Sequence, residues 1–337
     1  MAEFGGNQML EHKTPKALSQ KLKEYVIGQD QACDDLSMFL FQYLLFHYAQ
    51  NRNDIQLQAS PICLILGESG SGKTFLIKLL SEFTGFDLIE INGKSISQEG
   101  WHGTAFKEIL IDHFMKRPKS LDNSIMNIVF IDEFDKLCMP QGSSNDENYS
   151  VHLQNSLLKY IEGFQIENKD IRINTRNICF ILGGNFQGIR DQREKDKKNI
   201  GFKEHRHTED ELHLELEKFG MIPEVIGRIS NFIELRSLTH KDYETILRNP
   251  NGNFRNITQL MLNLGMELNI KDKQVEEAIE KALKSKIGVR GLNQEINKIL
   301  NQEFHKNQDK FQTVVEYFNY LERGEELEKE LKRGIKR

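Results

Sequence analysis

Gly67-Glu68-Ser69-Gly70-Ser71-Gly72-Lys73-Thr74 reads G-x-x-x-x-G-K-T, and this stretch decides the fold. It follows the apolar run Ile62-Cys63-Leu64-Ile65-Leu66 and precedes Phe75-Leu76-Ile77-Lys78-Leu79-Leu80. The order predicts a buried strand, a glycine turn and a helix. Glycines let successive backbone N–H groups converge on an anion without interference from a Cβ. Lys73 is long enough to reach β- and γ-phosphates, the Thr74 hydroxyl suits Mg²⁺, and the positive end of the helix faces the same anion. The expectation is a nucleoside triphosphate held by residues 67–74, with Phe75 beside them.

A second stretch, Ile128-Val129-Phe130-Ile131-Asp132-Glu133, is apolar until it ends in two carboxylates. Such a run suits a parallel strand buried on both faces, and its C-terminal edge is where open α/β sheets bind ligands. Asp132 is placed to hold Mg²⁺ and Glu133 to orient and polarise the attacking water. With Lys73 upstream and both carboxylates present, the reading is hydrolysis of ATP with Mg²⁺, and not binding alone.

The 337 residues allow two domains. The net charge of −5 and a pI near 6.1 argue against a binder of duplex nucleic acid that relies on phosphate neutralisation. Cys33, Cys63, Cys138 and Cys179 are scattered and form no C-x-x-C pair, so we expect no structural metal, no disulfide framework and a cytoplasmic location. His205-x-His207 reads as part of a charged loop. The most apolar helix, about 36–49, contains Gln42 and His47 and is too short to span a bilayer, so it is expected in a core, with Asp30 as its N-cap.

From about 17 to 237 short apolar runs alternate with amphipathic stretches, which predicts an α/β unit with a parallel sheet and flanking helices. Expected strands are 61–66, 86–91, 126–131, 177–182 and 231–235. The polar segments 138–150 and 186–212, including the charge run 191–198, are expected to be surface loops. Residues 238–320 are expected to form a small helical unit. Its first amphipathic helix carries Val275, Ala278, Ile279, Ala282, Leu283 and Ile287 and stops at Gly288, and a second carries Leu292, Ile296, Ile299, Leu300 and Phe304. Residues 1–16 and the charged tail 321–337 flank the two units.

Together these segments resemble the AAA+ ATPases of the ClpX type, from about Tyr25 to Phe304. Tyr25-Val26-Ile27-Gly28-Gln29 is similar to the family's segment ahead of the phosphate loop, which implies that Val26 and Ile27 contact adenine. Asp132-Glu133-Phe134-Asp135-Lys136 resembles the family's D-E-x-D-K run, and Leu157-Leu158-Lys159-Tyr160-Ile161-Glu162-Gly163 its L-L-K-x-I-E-G helix. Ile222-Pro223-Glu224-Val225-Ile226-Gly227-Arg228 is close to I-P-E-x-I-G-R. The resemblance implies that Arg228 reaches a neighbouring subunit's γ-phosphate; the plainer reading is a pair with Glu224 in cis. Gly288-Val289-Arg290-Gly291-Leu292 resembles G-x-R-G-L, implying that Arg290 reads the bound nucleotide, against a plain surface charge. Asn185, after Gly183-Gly184, is a candidate sensor of the γ-phosphate.

Gly100-Trp101-His102-Gly103 stands where the family carries a glycine-flanked loop lining a central pore. Here Trp-His departs from its aromatic–aliphatic pair, and the alternative is a Trp that plugs a core. Ile200-Gly201-Phe202 resembles the loop by which the family docks on the ClpP peptidase; the alternative is a loop folded back on its own domain. The family's N-terminal Cys₄ zinc domain and Arg-Lys-His pore-mouth loop find no matching residues in the sequence, so a narrower or differently supplied set of substrates is expected. The implied activity is that of an ATP-driven unfoldase. The resemblance implies that it forms a ring, a homo-hexamer, threads protein substrates through a pore and serves a ClpP-like peptidase, with no membrane partner. The competing classes are a nucleic-acid motor or loader and a nucleotide-gated scaffold that does not thread.

Overall fold

The computed structural model describes residues 14–51, 60–97, 104–116, 126–139, 144–168, 171–200, 209–312 and 315. The chain divides into two compact units, with the boundary between Ser237 and Leu238. The first unit opens with helices α1 (Pro15–Lys23) and α2 (Asp30–Asn51), then strand β1 (Ile62–Leu66), α3 (Lys73–Thr84) and β2 (Asp87–Asn92). A short parallel pair, β3 (Ile96–Ser97) and β4 (Thr104–Ala105), precedes α4 (Phe106–Lys116), β5 (Asn127–Asp132), α5 (Asp135–Cys138) and α6 (Ser144–Ile161). An antiparallel pair, β6 (Gln165–Glu167) and β7 (Arg172–Asn174), leads to β8 (Ile178–Gly184). Helices α7 (Gln187–Ile200), α8 (Glu209–Phe219) and α9 (Pro223–Ile226) and strand β9 (Asn231–Glu234) complete the unit.

Five strands form a wholly parallel sheet in the order β2-β5-β8-β1-β9. Period-two alternation sends neighbouring side chains into two separate cores. Leu64, Leu66, Val129, Ile131, Phe180 and Leu182 face one core, which α4, α6, α8 and α9 cover. Cys63, Ile65, Ile128, Phe130, Cys179 and Ile181 face the other, beneath α1, α2 and α3. A strand covered on both faces must be apolar throughout, and this is why β1, β5 and β8 read as unbroken hydrophobic runs. All five expected strands are present, within one or two residues at their ends.

Two expected loops are largely helical. Segment 138–150 contains the start of α6, where Ser150, and Gln154 one turn on, face inward and satisfy backbone groups. Ser150 donates to the Leu137 carbonyl, Gln154 Nε2 donates to the Gly220 carbonyl at 3.0 Å, and Gln154 Oε1 accepts from Ile222 N at 3.0 Å. Segment 186–212 holds α7 and the start of α8. Its charge run is not simply solvated: Arg193 Nε lies 2.9 Å from Glu215 on α8 and Arg193 Nη1 lies 3.3 Å from Glu234 on β9. Helix α2 begins at Asp30 itself and extends to Asn51.

The second unit packs α10 (His240–Arg248), α11 (Asn253–Asn263), α12 (Asp272–Ser285) and α13 (Val289–Lys306) around Tyr243, Leu247, Met261, Ile279, Leu292 and Ile296. Thr239 and Asp242 form a reciprocal capping box that starts α10. The end of α12 differs from the sequence expectation: the helix stops at Ser285, and Lys286 takes the left-handed conformation at φ 54°. Gly288, at φ 62°, instead precedes α13. Reversing the chain within so short a connection takes both positive-φ residues, and it leaves Ile287 in the turn. Among the described residues, no helix is long and apolar enough to cross a membrane. Cys33, Cys63, Cys138 and Cys179 are all buried free thiols.

Candidate nucleotide site

The sheet order gathers the predicted motifs at one edge. Strand β8 runs between β1 and β5, so its C-terminal end separates residues 67–74, which follow β1, from Asp132-Glu133, which end β5. Gly72 adopts φ 106° just before α3, and a Cβ built there meets nothing within 4 Å. The loop is therefore open at the first turn of a helix whose free N–H groups favour an anion. Gly67 is tight where Gly72 is open: a Cβ would fall 2.8 Å from Ser71 Oγ and 2.9 Å from Leu235 Cβ. Only glycine lets β1 turn into the loop at that point.

Lys73 is folded back on the loop, with its Nζ donating to the carbonyls of Gly67 at 2.7 Å and Glu68 at 2.9 Å. The Thr74 hydroxyl donates to Asp132 Oδ2 at 2.6 Å. Asp132 Oδ1 accepts from the backbone N–H of Glu133 at 2.8 Å, while Glu133 sits in the left-handed region at φ 56°. A glutamate in that region is a local strain of the kind that gathers at functional sites. Lys94 Nζ lies 2.8 Å from Glu133 Oε2 and holds this carboxyl below the usual glutamate range; partial burial opposes the shift. Gly93 makes the approach possible, since a Cβ there would lie 2.8 Å from the Glu133 carbonyl.

Asn185 follows β8 with its N–H 3.3 Å from Asp135 Oδ1. Its side-chain Oδ1, like Ser71 Oγ, is buried and without a hydrogen-bond partner among the described residues. Two orphaned buried oxygens beside an open glycine loop, a folded-back lysine and a Thr–Asp pair fit a Mg²⁺-nucleotide and its ordered water. Of the other expected site residues, Val26 is buried and Ile27 and Ser69 are half-buried or more exposed, while Phe75 is 50% exposed. Gly70 adopts φ 74°.

Arg228 lies in the turn after α9 and pairs with Glu162, not with Glu224 as the plainer reading had it. Both side chains remain well exposed. Arg290, the second residue of α13, belongs to the second unit and is exposed. Gly100, Trp101, His102, Gly103, Gly201 and Phe202 lie outside the described residues; Ile200 closes α7. Lys94, Arg190 and Ser237 join the site's surroundings without any motif to announce them. Their roles come from contacts between residues far apart in sequence, so no local pattern could have found them.

An open glycine loop before α3, paired with carboxylates at the end of a non-adjacent strand, defines a P-loop nucleotide hydrolase. The family signature AAA domain (Cdc48 subfamily) matches residues 60–232, more than half of the chain. The chain is 31% identical to the ATP-dependent Clp protease ATP-binding subunit ClpX of Treponema denticola, over 85% of this chain and 75% of that protein. It is 29% identical to the subunit ClpX 2 of Wolinella succinogenes, over 85% of this chain and 76% of that one. With ClpX 3 of Methylococcus capsulatus it shares 28% identity over 94% of this chain and 81% of the relative. The chain belongs to the ClpX-type AAA+ ATPases.

Proposed function

We propose that this Clp-type AAA+ ATPase is a ring-forming protein unfoldase, built from identical chains, that threads polypeptide through a central pore for a ClpP-like peptidase. The observation that carries the proposal is the gathering of Lys73, Thr74, Asp132 and Glu133 at one sheet edge, while Arg228 stands exposed on a separate turn. A catalytic set in one protomer and an exposed arginine, held in the same chain by a surface pair with Glu162, fit a pocket completed by a neighbour.

In the proposed cycle Lys73 exchanges its two loop carbonyls for phosphate oxygens, so the loop is organised before the nucleotide arrives. Thr74 and Asp132, now joined by a hydrogen bond, are the residues that would hold Mg²⁺, Asp132 through its water shell. Mg²⁺, when bound, neutralises charge that develops on the phosphate oxygens. Glu133 Oε orients the attacking water and takes its proton, after its pairing with Lys94 loosens. Asn185 steadies the same water by accepting from it at Oδ1, or the terminal phosphate by donating from Nδ2, and Val26 and Ile27 line the base. Arg228 of one subunit faces the terminal phosphate of the next, and Arg290 relays the nucleotide state to the second unit.

Trp101, between Gly100 and Gly103 and next to His102, grips substrate by contact area without reading sequence. Ile200, Gly201 and Phe202 anchor the peptidase. Buried free thiols and the family's membership support a cytoplasmic setting. ATPase activity measured against protein concentration, alongside unfolding of a folded fluorescent substrate, tests the proposal. Activity should rise with assembly and the substrate should lose its fluorescence. Full ATPase activity in a monomer, or hydrolysis without unfolding, overturns it.

A further inference from the structure

The phosphate loop is tied, at both of its ends, to the three residues by which the chain leaves the first unit. At the loop's start, Glu68 Oε1 accepts from Arg190 Nη2 at 2.7 Å and from Ser237 Oγ at 2.9 Å. Arg190 Nη2 also lies 3.2 Å from Ser237 Oγ, closing a triad. At the loop's other end Gln29, only 3% exposed, donates from Nε2 to the Ser71 carbonyl at 3.4 Å and the Arg236 carbonyl at 2.9 Å. Its Oε1 accepts from Arg236 N at 3.1 Å. Between them Leu235 N donates to the Leu66 carbonyl at 2.8 Å.

The Arg190 side chain is 16% exposed and Glu68 32%, so this pair is shielded as a surface ion pair is not. One guanidinium nitrogen, Nη1, is buried and has no hydrogen-bond partner among the described residues. A buried donor left unfilled is costly, and it leaves the arginine a second arrangement to adopt when its surroundings change.

We infer that Arg190, acting through Glu68 and Ser237, is a positioning residue that couples the state of the phosphate loop to the segment entering the second unit. The inference rests on residues 67–74 being the nucleotide site. A triphosphate in the loop brings negative charge beside Glu68 and competes with it for the guanidinium. Any loosening of Glu68 is felt at Ser237, because one carboxylate oxygen holds both partners.

The test is amide exchange of residues 235–239 in the full chain, with and without a slowly hydrolysed ATP analogue, beside equilibrium binding of a fluorescent ADP. In the unaltered protein the analogue should change exchange in this segment by about tenfold. Arg190→Met should bind ADP about three- to tenfold more weakly and lose the exchange response, and Arg190→Lys should restore part of it. Ser237→Ala, a change too small to threaten folding, should lose the response while binding ADP within about twofold. General destabilisation would instead raise exchange equally with and without nucleotide. An unaltered response in Arg190→Met and Ser237→Ala overturns the inference, as does nucleotide binding with no response in the unaltered protein. Failure of the unaltered protein to bind nucleotide would remove the site assignment itself.

Discussion

The Thr74 hydroxyl donates to Asp132 Oδ2 at 2.6 Å, joining the first turn of α3 to the end of a strand two places away in the sheet. Both oxygens suit a hard cation, and neither needs the other once one is present. Thr74→Val keeps the shape and removes the hydroxyl. We predict that it raises the Mg²⁺ concentration for half-maximal ATPase activity by about 10–100-fold. Titrating Mg²⁺ at saturating ATP checks this, and an unchanged midpoint would rule out Thr74 as a ligand.

Lys73 and Glu133 are expected to separate binding from turnover. Lys73→Ala removes the charge that the loop carbonyls now hold at 2.7 and 2.9 Å, so nucleotide binding should be lost. Glu133→Gln keeps the size of the side chain and removes its ability to accept a proton. It should bind nucleotide normally while turnover falls by about 10²–10⁴-fold. Equilibrium binding beside single-turnover hydrolysis distinguishes the two, and ordinary turnover in Glu133→Gln would refute the role given to that carboxylate.

How much of this was readable in the sequence depends on how local each signal is. The parallel sheet was legible because strands buried on both faces must be apolar throughout, and β1, β5 and β8 are. The phosphate loop was legible because its glycines and Lys73-Thr74 occupy adjacent positions. Segment 186–212 misled because a charge run reads as solvated, whereas Arg193 is fixed by Glu215 and Glu234 from two other elements. Segment 138–150 misled for a related reason: Ser150, like Gln154 one turn further along α6, is polar because it satisfies a buried backbone group. At the end of α12, Gly288 marked the turn correctly but not the cap, which Lys286 supplies. Lys94, Arg190 and Ser237 left no sequence trace, since each acts on a residue brought close only by folding.

Arg228 offers a direct test of a shared pocket. It pairs with Glu162 across an exposed surface, and such pairs contribute at most about 1 kcal/mol, so the arginine is free to exchange partners. Arg228→Ala should bind nucleotide yet lose ATPase activity by about 10³–10⁵-fold. Glu162→Gln should change activity by less than about fivefold. Mixing Arg228→Ala chains with Lys73→Ala chains should recover activity, because each supplies what the other lacks. A mixture as inactive as its parts would argue for a pocket complete within one chain.

In the second unit, Glu303 is buried on α13 and accepts from Asn269 N at 2.8 Å and from Lys306 Nζ at 2.5 Å. Burial raises its carboxyl, but the Lys306 ammonium and the Asn269 N–H lower it more, so its folded value lies below the usual range. A depressed carboxylate contributes stability above its unfolded pKa and loses it as the pH falls through the folded one. Glu303→Ala should therefore destabilise this unit by about 1–3 kcal/mol at neutral pH, less in acid. Amide exchange of α12 and α13 in the full chain, followed from neutral to acid pH, measures it. A deficit that persists undiminished in acid would contradict the ionic role.

Gripping substrate and docking a peptidase should be separable from hydrolysis and from each other. Trp101 stands between Gly100 and Gly103 in sequence, and on the proposed role removing its ring would cost contact area with substrate while leaving Lys73, Thr74, Asp132 and Glu133 unchanged. Trp101→Ala should keep ATPase activity within about threefold while unfolding of a folded fluorescent substrate falls at least about tenfold. Deleting Ile200-Gly201-Phe202 should do the reverse: unfolding continues, but degradation in the presence of a ClpP-like peptidase stops. The two lesions act on different partners, so their effects should not compensate when combined. Unfolding that survives Trp101→Ala would move the grip elsewhere, and degradation that survives the deletion would remove the docking role from these three residues.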